Sequence, residues 1–137
     1  LPRRETFISI SCGACELLLP QNGVFCAAVS DGDSSGGVSS VYDLDELCRD
    51  FCGAIPAASV RTMLLLGEGS DRLAFLTSCE CKVCSLSLES FSVFSACYEQ
   101  GTLRRGIIAC RFSEHSIGYL LDMGQFVAYR NGLWKAQ

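Results

Sequence analysis

A chain of 137 residues has the length of one domain, and no apolar run reaches the ~18 residues that would mark a membrane-spanning helix. Eleven basic against fifteen acidic residues give a net charge of −4, which works against whole-domain attraction to a phosphate backbone. Ten cysteines, with no export signal in Leu1-Pro2-Arg3-Arg4, favour a reduced intracellular setting, cytoplasm or nucleus, over a secreted disulfide framework.

In chain order, Thr6 to Ser11 runs as a β-branched segment around Phe7, Ile8 and Ile10, and Glu16 to Leu19 follows after the tight step Cys12-Gly13-Ala14-Cys15. This predicts strand, knuckle, strand. Asn22-Gly23 is a turn signal, so Val24 to Val29 reads as the next strand, whereas Ser30 to Ser40, rich in Gly, Ser and Asp, reads as a loop. Asp43-Leu44-Asp45-Glu46 opens a helix in which Leu44, Leu47, Cys48 and Phe51 recur at helical spacing up to Gly53. Met63 to Leu66 and Leu73 to Thr77 form a hairpin. Ser85 to Tyr98 mixes period two with period three, a strand running into a short helix. Ile107 to Phe112, Ile117 to Leu121 and Phe126 to Tyr129 complete a terminal meander with turns near Met123-Gly124 and Asn131-Gly132. The expected class is α+β, predominantly antiparallel β with hairpins and a C-terminal meander, one or two helices, and zinc-knuckle hairpins. Residues 1–137 are expected to form a single globular domain, and the missing initial methionine predicts a fragment of a larger protein.

Cys12-x-x-Cys15 and Cys81-x-x-Cys84 carry the strongest chemical signal. A two-residue gap lets one turn present two thiolates to one ion, and tetrahedral zinc takes four at about 2.3 Å. Two knuckles predict one structural zinc per chain on Cys12, Cys15, Cys81 and Cys84, with Cys79 as a rival ligand. Cys48 and Cys52 share a helical face at i and i+4, and with Cys26, Cys97 and Cys110 are assigned to core packing.

His115 is the one histidine, so any imidazole chemistry must use it. A cysteine protease would need a thiolate activated by an oriented histidine, roles open to Cys15, His115 and Asp122. The stretch from Glu114-His115 through Phe126-Val127-Ala128-Tyr129 to Gly132-Leu133-Trp134 is similar in outline to the histidine region of papain-like proteases and deubiquitinases, some of which carry an inserted cysteine zinc finger. The resemblance implies a catalytic cysteine at the start of a long helix. Here Pro20 and Asn22-Gly23 follow Cys15 too closely for one. Phosphate loops, metalloprotease motifs and nucleophile elbows are absent.

Nucleic-acid binding through Arg104, Arg105, Arg111 and Arg130 has the bases but no stacking or helix motif. With 49% apolar and only 19% charged residues, some apolar surface is left for a protein partner or a homodimer. The aromatic anchors Phe126, Tyr129 and Trp134 of the last meander strand are its expected contact. The leading functional expectation is a non-enzymatic, zinc-stabilised interaction or assembly domain. A papain-like protease or deubiquitinase, active or inactive, and a nucleic-acid-binding module are the alternatives.

Overall fold

Gly13 has a φ of 76°, a backbone conformation open to glycine and strained for other residues, and it turns β1 (Arg4–Cys12) back into β2 (Cys15–Pro20). The two strands pair antiparallel, with Ile8 opposite Leu19, Ile10 opposite Leu17 and Cys12 opposite Cys15. Alternation then sorts the side chains. Ile8, Ile10, Cys12, Leu17 and Leu19 join the main core, while Phe7 and Leu18 are buried on the other face, where Phe91 packs on Phe7 at a ring separation of 5.5 Å.

The structure is a computed structural model that describes residues 3–22, 24–30, 38–53, 55, 60–67, 72–93 and 106–132. After the first hairpin come β3 (Val24–Ser30), β4 (Val38–Asp43), α1 (Asp45–Cys52), β5 (Val60–Leu66), β6 (Arg72–Thr77) and β7 (Glu80–Ser87). A single 3-10 turn at Leu88–Ser90 leads to β8 (Ser92–Val93), and β9 (Ile107–Phe112), β10 (Ile117–Leu121) and α2 (Met123–Arg130) follow. The strands make a six-stranded sheet in the order β7-β1-β2-β10-β9-β8 and a four-stranded sheet in the order β3-β5-β6-β4. Most pairings are antiparallel; β2 with β10 and β4 with β6 are parallel. The α+β, largely antiparallel class is therefore the one observed.

One apolar core spans both sheets. It contains Ile8, Ile10, Leu17 and Leu19 from the larger sheet, Tyr42, Leu64 and Phe75 from the smaller, and Leu44, Leu47 and Phe126 from the helical segments. Helix α1 starts where expected: the Asp43 carboxylate accepts the Asp45 N–H at 2.8 Å, Asp45 and Glu46 place acids in the first turn, and Gly53 closes it at a φ of 84°. Among the described residues no helix is long and apolar enough to cross a membrane.

Three expectations are corrected. Phe126 to Tyr129 is helix, not the last strand of a meander, because the Asp122 carboxylate accepts the Gln125 N–H at 3.0 Å and nucleates α2, whose Met123 and Phe126 turn inward. The β7 strand runs through Cys81 and Cys84 without a turn, paired with β1 from Arg4–Ser87 to Ser11–Glu80, so these cysteines do not sit at a hairpin tip. Val38 to Ser40 belongs to β4 rather than to a loop, since parallel pairing with β6 satisfies its backbone despite a polar composition. The end of the ambiguous Ser85 to Tyr98 segment, most of the turn after Gly67, and Cys97, Arg104, Arg105 and Trp134 lie outside the described residues.

Gly106, immediately before β9, packs against the start of α2. Its carbonyl accepts the Asp122 N–H at 2.7 Å, its φ is 100°, and a Cβ there would lie 2.9 Å from both the N and Cβ of Phe126. Gly106→Ala should lower stability by about 2 kcal/mol or more, through backbone strain and a clash with core-bound Phe126. Gly132→Ala, equally left-handed but with open space at its Cβ, should cost only about 1 kcal/mol. Urea midpoints of the two variants, at unchanged m, measure the difference.

Candidate functional site

Residues directly opposite each other in an antiparallel pair share a face of the sheet. Cys81 lies opposite Ile10 and Cys84 opposite Phe7, so the two cysteines of this pair face opposite sides of β7. Cys12 and Cys15 are cross-strand neighbours on the core side, where the half-buried Cys15 thiol donates to the Phe51 carbonyl at 3.6 Å. Cys12, Cys15, Cys81 and Cys84 are therefore not gathered around one point. A period of two puts positions three apart in a strand on opposite faces, and a x-x gap presents two thiolates together only at a turn.

A different trio converges. The sulfurs of Cys12, Cys48 and Cys79 all lie within 4.8 Å of one another, and all three residues are buried. They arrive from the end of β1, the middle of α1 and the connection between β6 and β7. The Cys12 thiol donates to the Cys48 sulfur at 3.2 Å, and Cys79 is hydrogen-bonded to Cys12. Among the described residues this is the one group of three possible metal ligands in such proximity. Of the predicted ligands, Cys12 and the rival Cys79 thus lie together, beside Cys48.

The connection carrying Cys79 is fixed by a buried carboxylate. Asp45, 2% exposed, accepts the Thr77 hydroxyl at 3.1 Å, the Ser78 N–H at 2.8 Å and the Ser78 hydroxyl at 2.7 Å. Thr77 Oγ1 in turn accepts the Cys79 N–H at 3.1 Å. Arg61 lies 3.7 Å from Asp45 and 3.3 Å from Asp43, supplying the countercharge that a buried carboxylate needs. Burial pushes the Cys79 thiol above its usual range; the adjoining Cys12 and the Asp45 charge add to the rise, and the Thr77 hydroxyl opposes it. Burial also raises Cys84, with Glu16 adding to it, and Cys110.

The residues of the protease alternative are dispersed. Cys15 opens a strand. His115 is 88% exposed in the turn between β9 and β10, with its Nε2 3.9 Å from Glu114, and Asp122 caps α2 beyond the far end of β10. A five-residue strand separates histidine from aspartate by roughly 16 Å, too far for one to orient the other. Of the proposed basic face, Arg111 donates to the Ser90 hydroxyl and Arg130 pairs with Glu46 at 2.6 Å. Phe126 is a core residue, 2% exposed, so it cannot anchor a partner, while Tyr129 is half-buried.

The residue that sequence reasoning left out of the site is Cys48. Its signal was present as a cysteine on the apolar face of α1, but that face also carries Leu44 and Leu47, and period alone does not tell which distant cysteines meet it.

No protein-family model and no curated protein matches the chain. Among solved structures it is similar to the scaffolding protein TtCheW from Thermoanaerobacter tengcongensis, with a TM-score of 0.57 and 9% sequence identity, over 89% of this chain and 90% of that one. The likeness is one of fold, and it runs through nearly the whole of both chains.

Two outcomes follow from the site. Asp45→Ala strands the Thr77 and Ser78 donors and leaves Arg61 without its buried partner, so it should cost about 3 kcal/mol. It should also speed alkylation of Cys79, read by peptide mass mapping under native conditions. A raised thiol pKa in the folded state means that the native protein holds its proton more tightly than the unfolded chain. Stability should therefore be flat below the ordinary thiol range and fall as pH rises above about 8.5. Urea midpoints taken across that range should fall less steeply in Cys79→Ala.

Proposed function

We propose that this chain is a non-enzymatic protein-interaction domain that holds other proteins in an assembly. The observation that carries the reading is the fold shared with a scaffolding protein along nine-tenths of both chains. The scattering of Cys15, His115 and Asp122 supports it over the protease alternative, because a thiolate mechanism depends on contact between those groups.

The surface is consistent with docking through side chains rather than through strand addition. The β7 edge carries Glu80 and Lys82, charges that discourage pairing with another chain. Between the β2 end, β9, β10 and the start of α2 lies an open, mainly apolar cleft of about 230 Å³, lined by Pro20, Ile108, Leu120, Leu121 and Met123 among others. Elsewhere on this sheet Val93 of β8 and Phe112 at the end of β9 are exposed apolar residues. A small cleft with an apolar lining suits one or two anchoring side chains of a protein partner.

The test is reconstitution. A partner recovered with the tagged chain from its own cells, then purified separately, should bind it saturably, and Ile108→Asp should weaken binding at least about tenfold with an unchanged circular dichroism spectrum. A chain that is monomeric at high concentration and binds no purified partner would refute the proposal. So would a peptidase activity abolished by Cys15→Ala.

A further inference from the structure

We infer that Cys12, Cys48 and Cys79 form a zinc site that staples the first hairpin, helix α1 and the entry into β7. This site is independent of the docking reading. The three sulfurs lie within 4.8 Å of one another, with Cys12 and Cys48 at 3.2 Å. Zinc–thiolate bonds of about 2.3 Å in tetrahedral geometry put neighbouring sulfurs roughly 3.8 Å apart, inside that span. An ion would need only sub-ångström adjustments of three side chains.

The donor set selects the metal class. Three thiolates and no carboxylate or imidazole make a soft site, which rejects magnesium and calcium and accepts zinc or copper(I). Zinc leaves one net negative charge on the buried cluster where copper(I) would leave two, and charge is costly at 0–3% exposure. Binding follows Zn²⁺ + 3 RSH → Zn(SR)₃⁻ + 3 H⁺, with a fourth, non-protein ligand completing the tetrahedron. No redox step is involved.

The surroundings are those of a positioned ligand rather than of loose core filling. Small apolar residues would fill the same space without bringing three thiols from separate elements into mutual contact. The Asp45 to Thr77 to Cys79 N–H relay fixes the backbone of one of them, as outer-shell hydrogen bonds fix metal ligands. The cluster also ties α1, which no strand pairing can hold, to the paired strands β1 and β7, since α1 touches β1 through Cys12 and Cys48.

The experiment uses the purified full chain, reduced and freed of metal, titrated with Zn²⁺ against a chromophoric chelator and by calorimetry in buffers of different ionisation enthalpy. One equivalent should bind and survive desalting, with release of about three protons. Cys48→Ser should weaken zinc at least about hundredfold, while Cys84→Ser, on the opposite face of β7, should bind like the parent. Retained affinity in Cys48→Ser, or no uptake by the parent, would overturn the site, as would uptake of copper(I) without zinc. Should Cys48→Ser fail to fold, cobalt(II) bound to the parent chain keeps the test open. Strong thiolate-to-cobalt charge transfer with a tetrahedral visible band supports the site, and a spectrum lacking thiolate bands sinks it.

Discussion

Three aromatic rings hold the two sheets and the last helix in one arrangement. Tyr42 of β4 stacks on Phe75 of β6 at 5.5 Å, and Phe126 of α2 closes the triangle at 6.2 Å from each. The rings come from β4, from β6 and from a helix that directly follows the larger sheet, so their burial decides how sheet meets sheet. Tyr42 adds a polar tie, its hydroxyl donating to the Asn131 side chain just past α2 at 3.2 Å. With this contact set, α1 packs on the same core through Leu47, Cys48 and the preceding Leu44. The cysteine cluster is a consequence of that placement.

The local elements were legible because local patterns specify them. The first hairpin follows from a β-branched run before a glycine turn and a leucine run after it, and α1 from acids, period and a closing glycine. The β5–β6 hairpin follows from two apolar runs around a turn. The misread segment, Phe126 to Tyr129, has four residues with apolar character throughout, and such a short run does not separate strand from helix. What separated them was Asp122, an N-cap recognisable only once the preceding strand is known to end at Leu121. The strand β4 was hidden for a related reason: Ser39 and Ser40 have little strand preference, and the pairing with β6 overrides it.

The site was half legible for a reason of dimension. Spacing rules concern cysteines close in sequence, and they singled out Cys12 and the cysteine-rich segment from Cys79 to Cys84, of which Cys12 and Cys79 lie close together. They assume a turn wherever two cysteines are two residues apart. Cys81 and Cys84 lie instead in a continuous strand paired with β1, where the pleat sends them to opposite faces. Cys48, reached across the core from a helix, had no local signature tying it to Cys12 or Cys79, and neither had the Asp45 network that fixes Cys79. Contacts between distant segments depend on topology, and the parallel β2–β10 and β4–β6 pairings are the part of the topology least readable from short-range pattern.

That parallel pairing has a bearing on how the chain comes to be folded in a cell. The hairpin of β1 and β2 is synthesised well before either of its neighbours, yet in the finished sheet β7 occupies one flank and β10 the other. Until both have left the ribosome, two rows of backbone donors and acceptors stay open on an apolar hairpin containing Phe7, Ile8, Ile10 and Leu17 to Leu19. Pairings of such high sequence separation close slowly. The nascent hairpin therefore has a long opportunity to pair wrongly, and its sheet is complete only once β10 has emerged.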